Sequence, residues 1–221
     1  ILSRDRKLIE IFKNGEDVHT GVASRVFKVS PDKVDKGMRT RAKTINFGIL
    51  YGMGVSALKA NLGVDRKEAQ EFYDNYFKTF TGLAAYLDKI KAEAQRKGYT
   101  KTLFGRRRYF AGFRSPLPYV RAQAERMAIN APMQGTQADI IKIAMRKIDE
   151  HIQSENKSKD MRLILQVHDE LVYEIRDSLV DEAARHFKHL MATVLPKEKT
   201  LGVPIIAEAN VGDNWGEMRH I

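Results

Sequence analysis

Residues 161–175, MRLILQVHDELVYEI, place two short runs of β-forming residues on either side of His168, Asp169 and Glu170. Two such runs with a short polar break between them predict an antiparallel strand–turn–strand unit. A tight turn usually carries Gly or Asn, which adopt positive φ easily, so turn chemistry alone does not explain an acidic pair here. The turn is therefore either an ordinary solvated turn or a site that uses its carboxylates.

Most of the sequence before this unit has a helical pattern. Asp65, with Glu68 three residues later, predicts the start of one helix. Residues 99–110, YTKTLFGRRRYF, predict an extended segment or a hairpin. A helical pattern then runs from about residue 120 to residue 153, and we expect an interruption near Pro132 because proline disrupts helix interiors.

The sequence after this unit returns once to a helix. Residues 178–195 predict an amphipathic helix, and residues 203–211 predict a final strand. Helices followed by a strand–turn–strand–helix–strand block predict an α+β fold, in which a mainly helical subdomain precedes a small antiparallel β-sheet.

Composition restricts the class of protein. The 221 residues include 38 Lys and Arg against 28 Asp and Glu, a net charge of +10, and no cysteine. The excess of positive charge favours an anionic partner, most commonly nucleic acid, although many basic proteins bind none. The lack of cysteine excludes disulfides and cysteine-ligated metal sites. No apolar run approaches the roughly 20 residues of a membrane-spanning helix, so we expect no membrane partner.

A second pattern lies in residues 39–52, RTRAKTINFGILYG, where Arg39, Lys43, Phe47 and Tyr51 recur every four residues. On a helix these side chains form one stripe, with neighbours roughly 6 Å apart. Two cations followed by two aromatic rings suit a ligand with an anionic end and a flat end, such as a nucleoside triphosphate. The alternative is an ordinary amphipathic helix with a solvated basic edge.

The acidic turn also has a specific chemical interpretation. Carboxylates at a strand end are good ligands for Mg²⁺, which prefers hard oxygen donors. A metal held by Asp169 could activate an attacking oxygen and neutralise a departing phosphate. A solvated turn remains the alternative.

Taken together, these segments resemble family A DNA polymerases. RTRAKTINFGILYG is similar to their fingers-helix motif, and QVHDELVYE to their third polymerase motif. TLFGRRRYF and ERMAINAPMQGTQADIIK are similar to stretches of bacterial, DNA polymerase I-like members. The resemblance covers essentially the whole chain. It implies that residues 1–115 form the fingers subdomain and residues 116–221 the C-terminal part of the palm subdomain, with its small antiparallel β-sheet.

The resemblance implies a role for each residue of the stripe. Arg39 and Lys43 would hold the triphosphate, and Lys43 would protonate the leaving pyrophosphate. His19, in GEDVHT, would contact the nucleotide phosphates. Phe47 would pack against the incoming sugar and base, and Tyr51 would lie beside the templating position.

Further roles implied by the resemblance concern DNA and metal. Asp169 matches a metal ligand of the family, with Glu170 in a supporting catalytic role and two Mg²⁺ ions in the complete enzyme. Trp215 is interpreted as a packing residue, and the arginines at 106–108 as phosphate contacts without individual partners. The residues that would face primer–template DNA, besides Tyr51, are Arg126, Asn130, Gln134 and His168.

One expected motif is absent from the chain. The family's first palm motif, resembling Asp-Tyr-Ser-Gln-Ile-Glu-Leu-Arg, supplies the other metal-binding aspartate and is expected upstream of Ile1. We therefore expect this chain to be a fragment that does not extend a primer by itself.

The implied activity of the whole enzyme is template-directed DNA synthesis in replication and repair. It would transfer nucleotides from deoxynucleoside triphosphates to a primer 3′-hydroxyl, as a monomer within a longer chain. The expected location is the bacterial cytoplasm at the nucleoid, or the host cytoplasm for a phage protein. The alternatives are a non-catalytic nucleic-acid-binding module derived from a polymerase and a basic helical protein without a nucleotide role.

Overall fold

The computed structural model describes residues 1–221, and the chain divides into two compact units. The first unit comprises residues 1–135 and 201–203, and the second comprises residues 136–200 and 204–221. Helices dominate the chain, and every strand pairing is antiparallel, so the predicted α+β class is confirmed. None of the helices combines the length and apolar character that crossing a bilayer requires.

The first unit begins with a series of helices and a short hairpin. The helices are α1 (Arg6–Lys13), α2 (Val18–Phe27), α3 (Lys36–Leu50), α4 (Val55–Leu62), α5 (Arg66–Thr79) and α6 (Thr81–Lys97), and the hairpin strands are β1 (Tyr99–Lys101) and β2 (Arg107–Tyr109).

Aspartate side chains begin four of these helices. Each accepts a hydrogen bond from the backbone N–H three residues later, at 2.7–3.1 Å. Such a cap satisfies one of the free N–H groups of the first turn and stabilises a helix by about 1 kcal/mol relative to alanine. The helix start predicted at Asp65 is confirmed. The four caps are Asp5, Asp17, Asp35 and Asp65.

The core of the first unit is built from apolar faces of α1 to α6. Its largest buried side chains include Ile11, Ile45, Leu58, Tyr76 and Phe80. The core also encloses one polar contact, because the Tyr76 hydroxyl donates a 2.6 Å hydrogen bond to Oδ1 of the buried Asn46. This bond joins α5 to α3 and satisfies a group that would otherwise be buried without a partner.

The next helix, α7 (Pro118–Ser154), belongs to both units and is continuous. The interruption expected near Pro132 is wrong, because the helix passes through this residue. Proline removes one helical hydrogen bond at a cost of about 3 kcal/mol. The side chain of Pro132 is fully buried, and its packing helps to offset that cost.

The second unit contains the remaining elements. Strands β3 (Met161–Val167) and β4 (Glu170–Ile175) form the predicted hairpin, with an irregularity in register between Leu163 and Leu165. Their core contacts include Ile148 and Ile152 of α7. The further elements are α8 (Val180–Ala192), α9 (Lys197–Thr200), β5 (Asn210–Val211) and β6 (Arg219–His220).

The strand predicted over residues 203–211 is mostly wrong. Only Asn210–Val211 pairs, with Arg219–His220. A strand needs a hydrogen-bonded neighbour as well as a favourable side-chain pattern. Residues 203–208 belong to none of the paired strands. The chain therefore carries three separate two-stranded ladders in place of one small sheet.

The Tyr76–Asn46 hydrogen bond gives a test of the core. Replacing Tyr76 with Phe should lower the free energy of unfolding by about 1–3 kcal/mol, because the Asn46 oxygen stays buried without a donor. Urea denaturation of the two chains would measure this difference. Tyr119→Phe is the matched control, since Tyr119 is 68% exposed, and its effect should stay within about 0.5 kcal/mol. Equal stabilities for Tyr76→Phe and the unchanged chain would contradict the prediction.

Candidate functional site

Helix α3 has one buried face and one exposed face. Arg39, Lys43 and Phe47 are exposed on successive turns, as the four-residue spacing predicts. The helix ends at Leu50, and Tyr51 follows as its exposed C-cap residue. We call the four side chains Arg39, Lys43, Phe47 and Tyr51 the α3 stripe. The opposite, buried face consists of Ala42, Ile45, Asn46, Gly48 and Ile49.

The aromatic end of the α3 stripe is an open surface. The rings of Phe47 and Tyr51 have centroids 6.5 Å apart and planes 18° from parallel. The ring of His19, from α2, lies 5.5 Å from that of Phe47. Phe47 is 43% exposed and Tyr51 is 50% exposed. Large exposed rings without a core role are available to a flat ligand.

The cationic end of the α3 stripe is held by Asp17. Its carboxylate accepts hydrogen bonds from Nε and Nη2 of Arg39, at 3.0 and 2.8 Å. The pKa of Asp17 lies well below its usual range, mainly because Arg39 donates hydrogen bonds to its carboxylate. A guanidinium has five N–H donors, so this two-pronged contact leaves three for an anion. Asp17 thereby orients Arg39 without exhausting it.

Sequence reasoning missed Asp17. The same carboxylate caps α2, because it accepts hydrogen bonds from the backbone N–H and the hydroxyl of Thr20. The Asp-x-x-Thr pattern predicts a cap, but nothing in it indicates a partner 22 residues away.

His19 is held in a partly buried position beside the α3 stripe. Burial lowers its pKa; the charge of Asp17 opposes this shift, and the charges of Arg39 and Lys43 add to it. The imidazole is thus biased towards its neutral form. Its Nδ1 atom is buried and has no hydrogen-bond partner, which is unusual for a buried nitrogen.

The first part of α7 lies against the end of α3. Arg126, Asn130 and Gln134 recur every four residues on α7. Asn130 Nδ2 donates a 3.5 Å hydrogen bond to the carbonyl oxygen of Tyr51. Gly52 has φ +74°, and a Cβ there would lie 2.9 Å from Cγ of Arg126. The structure therefore brings the aromatic end of the α3 stripe together with Asn130 and Arg126.

Gln134 lies beside the β1–β2 hairpin. Together with Thr102 and Arg106 it lines a cavity of about 80 Å³. Arg106 Nη2 donates a 2.9 Å hydrogen bond to the carbonyl oxygen of Gly135, the residue after Gln134. The hairpin and this turn of α7 thus form one surface that includes a predicted DNA contact.

The acidic turn of the second unit is tight. His168 and Asp169 connect β3 to β4, and His168 adopts a left-handed conformation with φ +53°. This conformation is uncommon for residues other than glycine. Gln166 Nε2 donates a 2.8 Å hydrogen bond to the carbonyl oxygen of His168. His168, Asp169 and Glu170 are all exposed.

Trp215 is more than the packing residue expected from the sequence. Its indole Nε1 donates a 3.1 Å hydrogen bond to Oε1 of Glu170, and the residue is half-exposed. Glu170 therefore has one of its oxygens held in place, whereas its neighbour Asp169 is exposed.

Only part of a metal site can be built from these residues. No three or more His, Asp or Glu side chains of the chain are arranged to hold a metal ion. The exposed carboxylates of Asp169 and Glu170 are nevertheless the hard oxygen donors that Mg²⁺ prefers. The turn therefore fits as one side of a magnesium site that needs further ligands.

Comparisons with known proteins identify relatives over nearly the whole chain. The profile of DNA polymerase family A matches residues 1–217. DNA polymerase I of Pseudomonas aeruginosa is 44% identical over 216 residues, which are 98% of this chain and 23% of that protein. The thermostable DNA polymerase I of Thermus aquaticus is 43% identical over 97% of this chain and 25% of its own length. The chain thus spans about a quarter of the curated relatives it matches.

A solved structure is similar over most of the fold. The polymerase domain of Pol1 from M. smegmatis, in complex with DNA primer-template and dNTP, superposes with a TM-score of 0.84 at 40% identity. The match covers 92% of this chain and 35% of that one. Because the family profile matches residues 1–217, this chain belongs to DNA polymerase family A.

Proposed function

We propose that this chain is the fingers subdomain, residues 1–115, and the C-terminal part of the palm, residues 116–221, of a template-directed DNA polymerase. The enzyme would transfer nucleotides from deoxynucleoside triphosphates to a primer 3′-hydroxyl in replication and repair. The observation that carries the proposal is the α3 stripe, in which two exposed cations precede two exposed rings on one helix face.

The cationic end of the α3 stripe would bind the triphosphate. Arg39 retains N–H donors for phosphate oxygens while Asp17 fixes its plane. Lys43, one turn further on, is exposed and would place its ammonium group near the same phosphates. From there it could give a proton to the leaving pyrophosphate. Burial lowers the pKa of His19, and Arg39 and Lys43 lie close enough for their charges to lower it further. This proximity supports a contact of His19 with the same nucleotide phosphates.

The aromatic end would bind the rest of the nucleotide and the template. Phe47 offers an exposed ring face to the incoming sugar and base. Tyr51 lies at the end of α3, where its side chain would occupy the templating position until α3 moves towards the nucleotide. Such a closing motion assembles a site only around a fitting base pair.

Primer–template DNA is the proposed partner of the polar face of α7. Arg126, Asn130 and Gln134 would contact the DNA near the insertion site, and His168 would do so from the acidic turn. The net charge of +10 and the DNA complex of the M. smegmatis polymerase domain support this partner.

Asp169 is the proposed metal ligand of this chain, with Glu170 in a supporting role. Two Mg²⁺ ions bound in the complete enzyme would activate the primer 3′-hydroxyl and neutralise charge on the leaving pyrophosphate. Trp215 holds Glu170 by its indole N–H, so the two adjacent carboxylates would serve different purposes. We propose that the complete enzyme acts as a monomer in the bacterial cytoplasm at the nucleoid; the relatives named DNA polymerase I are bacterial proteins.

Two arginines of α3 permit a controlled test of nucleotide binding. In the full-length enzyme, Arg39→Ala should weaken deoxynucleotide affinity about 10- to 100-fold, because a charge-assisted hydrogen bond contributes about 1.5–3 kcal/mol. Pre-steady-state insertion measured against nucleotide concentration would give the affinity.

Arg41→Ala is the matched control for this experiment. Arg41 is also an exposed arginine of α3 and pairs with Glu68 at 3.6 Å. It lies about 200° around the helix from Arg39 and so faces away from the α3 stripe. Its loss should change affinity by less than about twofold, as for other exposed ion pairs. Equal effects of the two substitutions would show that only general positive charge is involved.

A second test separates chemistry from binding. Asp169→Ala in the full-length enzyme should abolish nucleotide insertion while duplex affinity changes by only a few-fold. The reason is that a metal ligand acts on the chemical step, whereas Lys and Arg contacts with phosphates dominate DNA affinity. Single-turnover rates and duplex titrations on the same preparation would measure both quantities.

Glu174→Ala is the control, because Glu174 is an exposed carboxylate of the same β3–β4 hairpin. It should leave both the rate and the affinity nearly unchanged. If Asp169→Ala lowers affinity as far as the rate, Asp169 is a structural residue and the metal assignment is wrong. If the full-length protein binds duplex but inserts no nucleotide at all, the non-catalytic nucleic-acid-binding module becomes the better description.

A further inference from the structure

The β1–β2 hairpin has a face that the proposed nucleotide site does not use. The pairing Tyr99↔Tyr109 and Lys101↔Arg107 places these four side chains on the same side of the ladder. The rings of Tyr99 and Tyr109 have centroids 5.4 Å apart. We call these four side chains the hairpin face.

The cations of the hairpin face are arranged around an aromatic ring. The guanidinium carbon of Arg107 lies 4.7 Å from the centre of the Tyr99 ring, and Lys101 Nζ lies 5.8 Å from it. A hydrogen bond with Tyr109 also raises the pKa of Arg107. Both charged groups are exposed. They are thus ordered by ring contacts, and no carboxylate neutralises them.

The opposite side of the ladder faces the protein. Thr100 is 5% exposed, and Arg108 lies over the ring of the buried Phe110, 5.7 Å from its centre. This side is anchored to α7 by the hydrogen bond from Arg106 to the carbonyl of Gly135. The anchor leaves the hairpin face open, with Tyr109 68% exposed.

The segment that carries the hairpin face has charges of a single sign. Residues 98–124 contain no Asp or Glu. The same segment contains six basic residues: Lys101, Arg106, Arg107, Arg108, Arg114 and Arg121. A segment with this charge is complementary to a polyanion, and its exposed ring adds a surface on which a planar group can stack.

We propose that the hairpin face binds single-stranded nucleic acid, with Tyr109 stacking on an unpaired base and Lys101 and Arg107 contacting adjacent phosphates. A single strand is favoured over a duplex because an exposed ring can stack only on a base whose face is free. An acidic peptide could use the cations but has no planar groups for Tyr109. The inference rests on the proposed function, because the single strand bound by the hairpin face would be the unpaired template of the polymerase.

The test compares three probes by fluorescence anisotropy on the 221-residue chain. They are an oligothymidylate, an abasic oligonucleotide of equal length, and a blunt duplex. The single strands have about 16 nucleotides, the longest site that one single-strand-binding domain usually covers. Tyr109→Ala should weaken oligothymidylate binding roughly fivefold or more, the usual effect of losing one stacked base. It should leave abasic and duplex binding unchanged. Tyr109→Phe, which keeps the ring, should bind like the unchanged chain.

Arg107→Ala tests the phosphate contact. It should weaken binding of both single-stranded probes and reduce the slope of log affinity against log salt by about 0.7, the value for one phosphate contact on a single strand. Arg146→Ala is the control, because Arg146 is an exposed arginine outside the hairpin that pairs with Glu150. It removes the same charge and should leave both affinities nearly unchanged. Circular dichroism and thermal melting of each variant would verify that it is folded.

Three results would overturn the inference: oligothymidylate binding by Tyr109→Ala equal to that of the unchanged chain, an equal loss on the abasic probe, or an equal loss with Arg146→Ala. A loss confined to the duplex would assign the hairpin face to paired DNA instead. The assay requires neither metal nor turnover. Failure of nucleotide insertion in the full-length enzyme and failure of the hairpin face are therefore separate outcomes.

Discussion

The orientation of α3 about its own axis is the constraint on which the proposed site depends. One face of the helix is fixed by apolar contacts and by the buried hydrogen bond from Tyr76 to Asn46. Asn46 directly precedes Phe47, so the bond that holds Asn46 inwards also directs the Phe47 ring outwards. A rotation of α3 by one residue would bury part of the α3 stripe and leave the Tyr76 hydroxyl without its acceptor. The core thus sets which side chains are available to a ligand.

Asp17 extends this constraint to the neighbouring helix. A single carboxylate caps α2 and binds Arg39 of α3. The start of α2, which carries His19, is therefore tied to the cationic end of the α3 stripe. Exposed ion pairs add little to stability, and Asp17 and Arg39 are each nearly half-exposed. The pair therefore acts mainly on geometry, because it fixes the plane of the guanidinium that is proposed to bind phosphate.

The acidic turn depends on a different kind of constraint. A two-residue connection between β3 and β4 forces His168 into a left-handed conformation. This conformation is energetically unfavourable for any residue that has a Cβ atom. A turn of Gly or Asn would avoid that cost, so local stability does not explain the residues present, and the proposed metal-binding role does. Trp215 adds to the arrangement by holding Glu170 from a segment 45 residues away in the chain.

The sequence by itself determined those features whose partners are close along the chain. The helix start at Asp65, the four-residue spacing of the α3 stripe, the β3–β4 hairpin and the sequence motifs of the family were predicted, because each depends on residues within a few positions of one another. Tertiary structure decided the rest. It paired Arg39 with Asp17 and Trp215 with Glu170. It also carried α7 through Pro132 and left residues 203–208 without a strand partner. These outcomes depend on contacts between residues distant in sequence, and local periodicity contains no information about such contacts.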